Sequence, residues 1–383
     1  MSNSILSKKL GTVSFVANIG SGGFGTVYAC YSEKLKHLIA CKKIKRDSKF
    51  SINRFASEFD TWLLASENPF LVDLLDVLYD KNHIYFCQEL LFGGVFRPRD
   101  PYSEAQKSQV VVQVTHALNF LHHNGIAHLD VKPENILIHS KRPNIYVKLH
   151  DFGISRHRDS GEKSKVGTLP YMAPEMLENR ENMDYFYCDF YSLGITIFEI
   201  FMTRLPATKI GSENDILRSW GKEIEHLPEK YPREIINLVI GLTSTSDRKS
   251  VFDHFIENTR PIIPDGQVID YKFFLENYFK PQHLFVYLTN KFSADEEASR
   301  YLEQVAKAFS YQKNYQFQQA LLLYKSSIEW FLAYSKKIVE PELVSVLKSF
   351  LQNTLKEAEN CKKFETPLQT SKLSKSDKNC TIS

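Results

Sequence analysis

Short apolar runs, separated by polar positions, mark the beginning of the chain. Four of them, at residues 13–19, 27–31, 38–44 and 84–87, are rich in residue types that favour strands. A longer segment, residues 52–65, has the spacing of an amphipathic helix. The pattern predicts a small β-sheet that carries one helix.

The periodicity becomes helical from about Ser103 onward. Ser103 and Gln106 have the spacing of a capping box, in which each side chain bonds the backbone of the other. Apolar residues then recur on one helical face, at Val110, Val114, Ala117 and Leu121. A mostly helical second lobe is therefore expected after the sheet.

The last third of the chain divides into three kinds of segment. Prolines and a glycine punctuate residues 257–292, which we predict to be a connecting segment. Residues 293–363 carry three apolar stripes of helical spacing and predict an all-α three-helix bundle, with Ser293 and Glu296 as the capping box of its first helix. Residues 364–383 are rich in Lys, Ser and Thr and predict a disordered tail.

Composition narrows the class of protein only moderately. The 383 residues include 48 basic and 45 acidic side chains, so a net charge of +3 does not favour a nucleic-acid partner. No segment reaches the length and apolarity of a membrane span, and we expect a cytoplasmic protein. Six cysteines without a CxxC pair predict neither a disulfide nor a zinc site.

A glycine-rich segment is the first candidate for chemistry. Gly20, Gly22, Gly25 and Val27 form a G-x-G-x-x-G-x-V pattern, in which missing Cβ atoms let backbone N–H groups approach phosphate oxygens. Dinucleotide-binding folds use a similar pattern, so the glycines alone leave the ligand open.

A lysine on the next predicted strand favours a nucleoside triphosphate as the ligand. Lys42 ends the run Ile-Ala-Cys-Lys and would point toward the phosphates, whereas Lys43 would point to the opposite face of the sheet. Glu58 lies on the predicted helix and could form an ion pair with Lys42, or could be an ordinary solvated glutamate.

Two further motifs complete an ordered set. They are His-Leu-Asp-Val-Lys-Pro-Glu-Asn at residues 128–135 and His-Asp-Phe-Gly at residues 150–153. Together with the glycines and Lys42, they resemble the eukaryotic protein kinase family over about residues 14–256. The resemblance implies an α+β bilobal protein kinase fold, followed by the predicted all-α three-helix bundle. It also implies that the protein uses ATP and Mg2+.

The resemblance implies a role for each motif residue. Asp130 would orient the hydroxyl of a protein substrate, Lys132 would offset charge on the γ-phosphoryl group, and Asn135 and Asp151 would hold Mg2+. The residues expected to contact ATP are Ile19, Gly20, Gly22, Gly25, Val27, Ala40, Lys42, Glu58, Glu89 and Leu91, with Gln88 guarding the pocket behind the adenine. A nucleotide-binding scaffold without catalysis is the alternative.

The segment after the second motif is similar to that of serine/threonine kinases. Thr168, in Gly-Thr-Leu-Pro-Tyr-Met-Ala-Pro-Glu, would bond near Asp130 and Lys132. By the same resemblance, Asp189 would brace the catalytic loop. Glu175 and Arg248 would form a buried ion pair.

Residue 129 departs from the family pattern. Most members have an arginine there, which binds a phosphate on the following loop, but this chain has Leu129. We therefore expect the loop of residues 151–175 to be competent without phosphorylation, with Ser155, Ser160 and Ser164 left as other points of control.

The C-terminal stripes carry a second resemblance. Residues 311–324 are similar to the microtubule-interacting-and-trafficking (MIT) domain, although a tetratricopeptide hairpin shares the pattern around Ala320. A kinase with this bundle and a His-Leu-Asp loop is most similar to the MIT-containing branch of the unc-51-like kinases. That resemblance implies binding to ESCRT-III tail helices and association with endosomal membranes. An autophagy-type kinase would differ in its partner rather than in its chemistry.

The final four residues suggest a lipid anchor. Cys380-Thr-Ile-Ser has the form of a prenylation signal, with three lysines just before it. One hypothesis is that prenylation of Cys380 allows peripheral membrane association. The other is that Cys380 is not modified.

Overall fold

The computed structural model of the chain forms two compact units, Met1–Phe279 and Lys280–Ser383. It describes residues 4–22, 25–46, 59, 61–66, 68–140, 144–158, 165–178, 183–206, 231–244, 247–261, 281–313 and 316–363. In these ranges no helix has both the length and the apolar character needed to cross a membrane. Glu58, Ser160, Ser164 and the tail with Cys380 lie outside the described residues.

An antiparallel sheet dominates the first part of the first unit. Its strands are β1 (Ser4–Ser7), β2 (Gly11–Gly22), β3 (Gly25–Ser32), β4 (His37–Lys45), β5 (Leu74–Tyr79) and β6 (His83–Glu89). Their order across the sheet is β1-β2-β3-β4-β6-β5. The four predicted runs correspond to β2, β3, β4 and β6. Of the predicted helix at residues 52–65, the described residues 61–65 are helical.

Two strands of this sheet, β1 and β5, are absent from the sequence prediction. The sequence of β5 is Leu-Leu-Asp-Val-Leu-Tyr, in which apolar and polar residues do not alternate. A register shift between Leu74 and Asp76 explains this, because a bulge changes which side chains face the core. In β1, two serines flank only two apolar residues, which is too short a pattern to predict a strand.

Helices and short strands build the rest of the first unit. In chain order they are α1 (Glu104–His123), β7 (Ile126–Ala127), β8 (Ile136–Ser140), β9 (Tyr146–Leu149), β10 (Arg156–His157), α2 (Pro174–Leu177), α3 (Tyr185–Met202), α4 (Arg233–Thr243) and α5 (Arg248–Asn258). The predicted capping box of α1 is confirmed: Gln106 N donates to Ser103 Oγ and Ser103 N donates to Gln106 Oε1.

The sheet packs on both of its faces. One face contributes Ile84 and Phe86 to a large apolar core that also includes α1, α3 and the short strands. The other face encloses a smaller core, formed by Leu10, Val13, Cys30, Ile39, Cys41, Leu78, Tyr85 and Cys87. Burial on both faces fixes the strand register, because a shift by one residue would exchange the two sets of side chains.

The described helices of the second unit are α6 (Pro281–Lys291), α7 (Glu296–Lys313), α8 (Phe317–Ser335) and α9 (Pro341–Lys363). The last three match the predicted helices, but the prediction of a three-helix bundle is incomplete because α6 packs against α7 and α9. The sequence pattern places Pro281 in a connecting segment, but the structure begins α6 there, because proline also suits the first position of a helix.

The start of α7 differs from the prediction in one detail. The side chain of Asp295 accepts a hydrogen bond from Ala298 N at 2.9 Å, so Asp295 rather than Ser293 satisfies the first turn. Both residues are good capping types, and the sequence pattern does not distinguish between them.

Candidate active site

A buried carboxylate holds the loop that contains Asp130. Asp189 on α3 accepts hydrogen bonds from the backbone N–H groups of His128 (2.7 Å) and Leu129 (2.6 Å), as expected of a brace. The ring of His122 bonds the same carboxylate at 2.8 Å. Leu129 has a φ of +65°, a conformation that non-glycine residues rarely adopt, and these bonds stabilise it.

Three side chains fix the carboxylate of Asp130. Thr168 Oγ1 donates to its Oδ1 at 2.6 Å, and Lys132 Nζ donates to its Oδ2 at 2.7 Å. Asn135 Nδ2 donates to Oδ2 at 2.9 Å and to the backbone carbonyl of Asp130 at 2.8 Å. Lys132 also donates to Thr168 Oγ1, at 2.5 Å. The structure thus brings these four residues together, and Thr168 lies where the sequence predicts it.

Lys42 joins the sheet to the second motif. Its Nζ lies 2.7 Å from Asp151 Oδ1, and both side chains are largely buried. Burial raises the pKa of Asp151, but the charge of Lys42, the hydrogen bond from Lys42 and the nearby rings of His150 and His128 together outweigh burial and hold that pKa below its usual range. The carboxylate is therefore ionised at neutral pH. The predicted partner Glu58 lies outside the described residues.

Aromatic rings pack between the sheet and the catalytic loop. Phe152, next to Asp151, is buried and makes edge contacts with Trp62 at 6.0 Å and with the ring of His128 at 5.6 Å. Trp62 in turn contacts Phe86 of β6 at 5.0 Å. This packing holds Phe152 inside the core, so Asp151 points toward Lys42.

Three of the residues predicted to contact ATP, Val27, Ala40 and Lys42, lie on one face of the sheet. Val27 pairs with Lys42 across β3 and β4, and Ala40 pairs with Gln88 across β4 and β6. Directly paired residues present their side chains on the same face. Lys43 occupies the opposite face, as predicted, with its Nζ 5.7 Å from the ring of Tyr85.

The described glycines of the glycine-rich segment lie at the end of β2 and the start of β3. Gly20 pairs with Val27 and Gly22 pairs with Gly25, while Ile19 lies at a register shift in β2. Gly25 has a φ of +137°, and a Cβ atom there would collide with the backbone carbonyl of Lys43. Glycine is therefore required at this position by the backbone itself.

The end of β6 and the residues just after it contain Gln88, Glu89 and Leu91, which are also predicted to line the ATP site. The Oε1 atom of Glu89 accepts hydrogen bonds from Asp73 N at 2.8 Å and from Lys148 Nζ at 2.5 Å, so this side chain bonds residues of the protein itself. Leu91 is buried nearby. The Oε1 atom of Gln88 is buried and has no hydrogen-bond partner in the described part of the chain.

The predicted ion pair between Glu175 and Arg248 is present, but Ser155 differs from its prediction as a point of control. Arg248 donates to both carboxylate oxygens of Glu175 and to the carbonyl of Tyr187. Leu129 is buried in the large core. Ser155, by contrast, is buried and its hydroxyl donates to His128 O at 3.4 Å, so it is not an accessible point of control in this structure.

Sequence reasoning missed two residues of the site. His122, which bonds the brace Asp189, lies at the end of α1 in a His-His pair that looks like an ordinary basic helix end. Trp62 lies within the predicted helix and looks like a simple core residue. Neither residue carries a spacing signal, because each acts only through a partner that is distant in sequence.

Comparison with known proteins identifies the family. A model of the protein kinase domain matches residues 13–257. The chain is 31% identical to human cGMP-dependent protein kinase 2 over 244 residues, 58% of this chain. It is 32% identical to human serine/threonine-protein kinase ULK3 over 198 residues (49%), and 30% identical to calcium-dependent protein kinase 3 of Plasmodium yoelii yoelii over 206 residues (52%). The matches span 30%, 41% and 37% of these relatives, respectively.

Proposed function

This chain belongs to the protein kinase domain family, and from that premise we propose that it transfers the γ-phosphoryl group of ATP to serine or threonine hydroxyls of proteins. Phosphoryl transfer needs little covalent chemistry from the protein, but it needs the hydroxyl in line with the phosphorus atom and negative charge offset nearby. Asp130 has the position to accept the hydroxyl proton, and Lys132 has the charge to stabilise the transferred group.

The bond between Lys132 and Thr168 is the observation that carries the choice of serine or threonine. Thr168 Oγ1 bonds Lys132 at 2.5 Å and Asp130 at 2.6 Å, so the segment after residue 165 is held close to the catalytic carboxylate. An acceptor hydroxyl must approach Asp130 beside this segment. A serine or threonine hydroxyl lies close to the substrate backbone and suits that short distance better than a tyrosine hydroxyl does.

Asn135 and Asp151 suit a magnesium ion. The amide nitrogen of Asn135 is used by Asp130, which leaves the amide oxygen for a ligand, and Asp151 is an ionised carboxylate. Oxygen atoms of these types are the ligands that Mg2+ prefers. Magnesium bound there would supply positive charge against the phosphate oxygens of ATP.

Three peptides that differ only at the acceptor residue test the proposed specificity. The acceptors are serine, threonine and tyrosine, with an alanine peptide as the control, and the readout is radiolabel transferred from ATP. We expect label on the serine and threonine peptides and none above the control on the tyrosine peptide. Equal labelling of the tyrosine peptide would refute the serine/threonine assignment.

The loop after Asp151 is proposed to be competent without phosphorylation. Leu129 is apolar and buried, so it offers no charge to a phosphate. Backbone bonds support the loop instead: β10 pairs with β7, and Arg158 N donates to Gly125 O at 2.8 Å. Protein made in bacteria and treated with phosphatase should keep its activity within about twofold. A large loss on phosphatase treatment would contradict this proposal.

Exposed leucines on the second unit favour a partner-binding role there. Leu322 and Leu332 on α8 are 69% and 51% exposed, and Leu355 on α9 is 48% exposed. Amphipathic helices bind to such surfaces through regularly spaced apolar anchors. We propose that this unit binds helices of the ESCRT-III tail type and thereby brings the kinase to endosomal membranes. Prenylation at Cys380, outside the described residues, stays a prediction.

A fluorescent ESCRT-III tail peptide, titrated against the full chain, tests the partner proposal. Leu355→Asp should weaken binding by about tenfold or more, because it places a charge in an apolar contact. Gln352→Asp, also exposed on α9, adds the same charge at a polar position and serves as the control. Absence of binding at high micromolar peptide would remove the trafficking role and leave the kinase proposal intact.

A further inference from the structure

The two edge strands of the sheet meet. In the strand order β1-β2-β3-β4-β6-β5, β1 and β5 are the outer strands, yet β1 also lies against β5. The sheet is therefore curled so strongly that its edges approach each other around the smaller core. One side-chain bond joins them: Ser7 Oγ donates to Asp76 Oδ2 at 2.5 Å.

The hydroxyl of Ser7 is used completely in this link. Besides donating to Asp76, it accepts hydrogen bonds from Lys9 N at 3.0 Å and from Leu10 N at 2.9 Å, and the residue is only 5% exposed. A hydroxyl has one donor and two acceptor positions, so none is left for solvent. The bond to Asp76 is an integral part of the turn after β1.

The position of Asp76 follows from the bulge in β5. Asp76 lies at the register shift of the β5–β6 pair, where an irregular backbone redirects a side chain. Its second oxygen, Oδ1, accepts a bond from Val77 N at 2.9 Å. The carboxylate is thus oriented from its own strand toward β1.

The same turn is also tied to the connection between β3 and β4. The carbonyl of Leu10 accepts bonds from Ser32 Oγ at 2.7 Å and from Lys34 N at 3.0 Å. Gly11 has a φ of +70°, and a Cβ atom there would lie 3.1 Å from Lys34 N. Residues 4–11, which we call the strap, therefore close one end of the sheet against β3, the β3–β4 connection and β5.

Two strands that begin at this closed end lead to the proposed ATP site. β2 runs from the strap to Gly22, and β4 runs from the β3–β4 connection to Lys42 and beyond it to Lys45. We infer that Ser7 and Asp76 are positioning residues, which set the curvature of the sheet and thereby hold the paired glycines Gly22 and Gly25 at the correct distance from Lys42 for ATP. This inference rests on the proposed kinase function. The strap itself lies outside residues 13–257, which the family model matches.

The experiment measures ATP kinetics in variants of the full chain. Ser7→Ala and Asp76→Leu should each raise the KM for ATP by about fivefold, since each removes a buried bond to a charged group, while kcat changes by less than about twofold. Asp76→Asn keeps an acceptor for Ser7 and should restore most of the wild-type KM. Hydrogen exchange of β2, measured without nucleotide, should become faster in Ser7→Ala and Asp76→Leu.

Gln113→Leu is the matched control. Gln113 is buried in α1 and bonds Ile145 O and Val147 N, each at 2.8 Å, so its loss lowers stability in the helical part of the unit. The control should leave the KM for ATP and the exchange of β2 unchanged.

Two results would overturn the inference. One is a normal KM and normal β2 exchange in Ser7→Ala and Asp76→Leu, and the other is a rise in KM for Gln113→Leu equal to theirs. A wild-type chain that does not turn over ATP would instead refute the proposed function, and the exchange of β2 would then decide the role of the strap by itself.

Discussion

Buried polar groups play different parts in the two units. In the first unit, the carboxylates of Asp130 and Asp189 each bond several partners inside the protein. In the second unit, apolar side chains fill the described core, and polar bonds such as Tyr287 OH to Glu342 Oε1 (2.8 Å) link one helix to another. The first unit therefore combines its apolar cores with buried, hydrogen-bonded carboxylates, whereas the described core of the second unit is mainly apolar.

This difference follows from what each unit has to hold. A phosphoryl-transfer site needs charges at defined points, and a buried charge is stable only when all its hydrogen-bonding positions are satisfied. A helical unit that presents a surface to a partner needs only a packed core and suitable exposed residues. Loss of a buried polar partner should therefore lower stability more in the first unit than in the second.

The largest effect is expected at Arg248 in the first unit. Arg248→Met leaves the carboxylate of Glu175 buried without its charge partner, which should lower the free energy of unfolding by about 4 kcal/mol. Hydrogen exchange can follow α3 and α5 separately from the second unit. The control is Lys249→Met, whose exposed pair with Asp253 should contribute less than about 1 kcal/mol. Equal effects for the two variants would contradict the account of the first unit.

A slightly smaller effect is expected at Phe331 in the second unit. This ring is fully buried and contacts Phe350 at 5.7 Å and Phe292 at 6.3 Å. Phe331→Ala should cost about 3 kcal/mol through lost burial and the cavity that it creates. Denaturant unfolding, read by exchange in α7–α9, measures this cost. Leu332→Ala, at the neighbouring exposed position, should change stability by less than about 0.5 kcal/mol.

The smallest effect is expected at Tyr287. Tyr287→Phe removes the hydroxyl that bonds Glu342 but keeps the ring, so the second unit should lose about 1–2 kcal/mol. The same unfolding experiment measures it against Phe331→Ala. A loss for Tyr287→Phe that exceeds the loss for Phe331→Ala would mean that the second unit also depends on its polar links, and the contrast between the units would fail.

The catalytic residues of the first unit were largely predictable because each position in the kinase motifs requires a particular type of amino acid. Asp130, Lys132, Asn135 and Thr168 lie together as the resemblance to protein kinases implies. The bond between Lys42 and Asp151 was not predicted, and the predicted partner of Lys42, Glu58, lies outside the described residues. Each position needs one particular functional group, so the sequence carries it directly. The strands β2, β3, β4 and β6 were predictable from their apolar runs.

The features that escaped prediction depend on contacts between distant residues. β1 was missed because its apolar pattern is too short and because the strand depends on pairing with β2 and on the bond from Ser7 to Asp76, whereas β5 was missed because a bulge breaks its alternation. The helix α6 follows a proline-rich segment and is stabilised by packing on α7 and α9. The local sequence pattern does not reveal contacts between residues that are distant in sequence.

Phosphoryl transfer by the wild-type chain and by Asp130→Asn tests the central claim most directly. The chain is produced in bacteria, treated with phosphatase, and assayed for radiolabel transfer from ATP with magnesium to a serine-containing protein. Asp253→Asn, on the exposed surface of α5, is the control. The account predicts transfer by the wild type and the control, and a loss of about 10³-fold in Asp130→Asn with ATP binding retained. A folded wild-type chain that binds ATP without transferring phosphate, or an Asp130→Asn variant as active as the control, would contradict it.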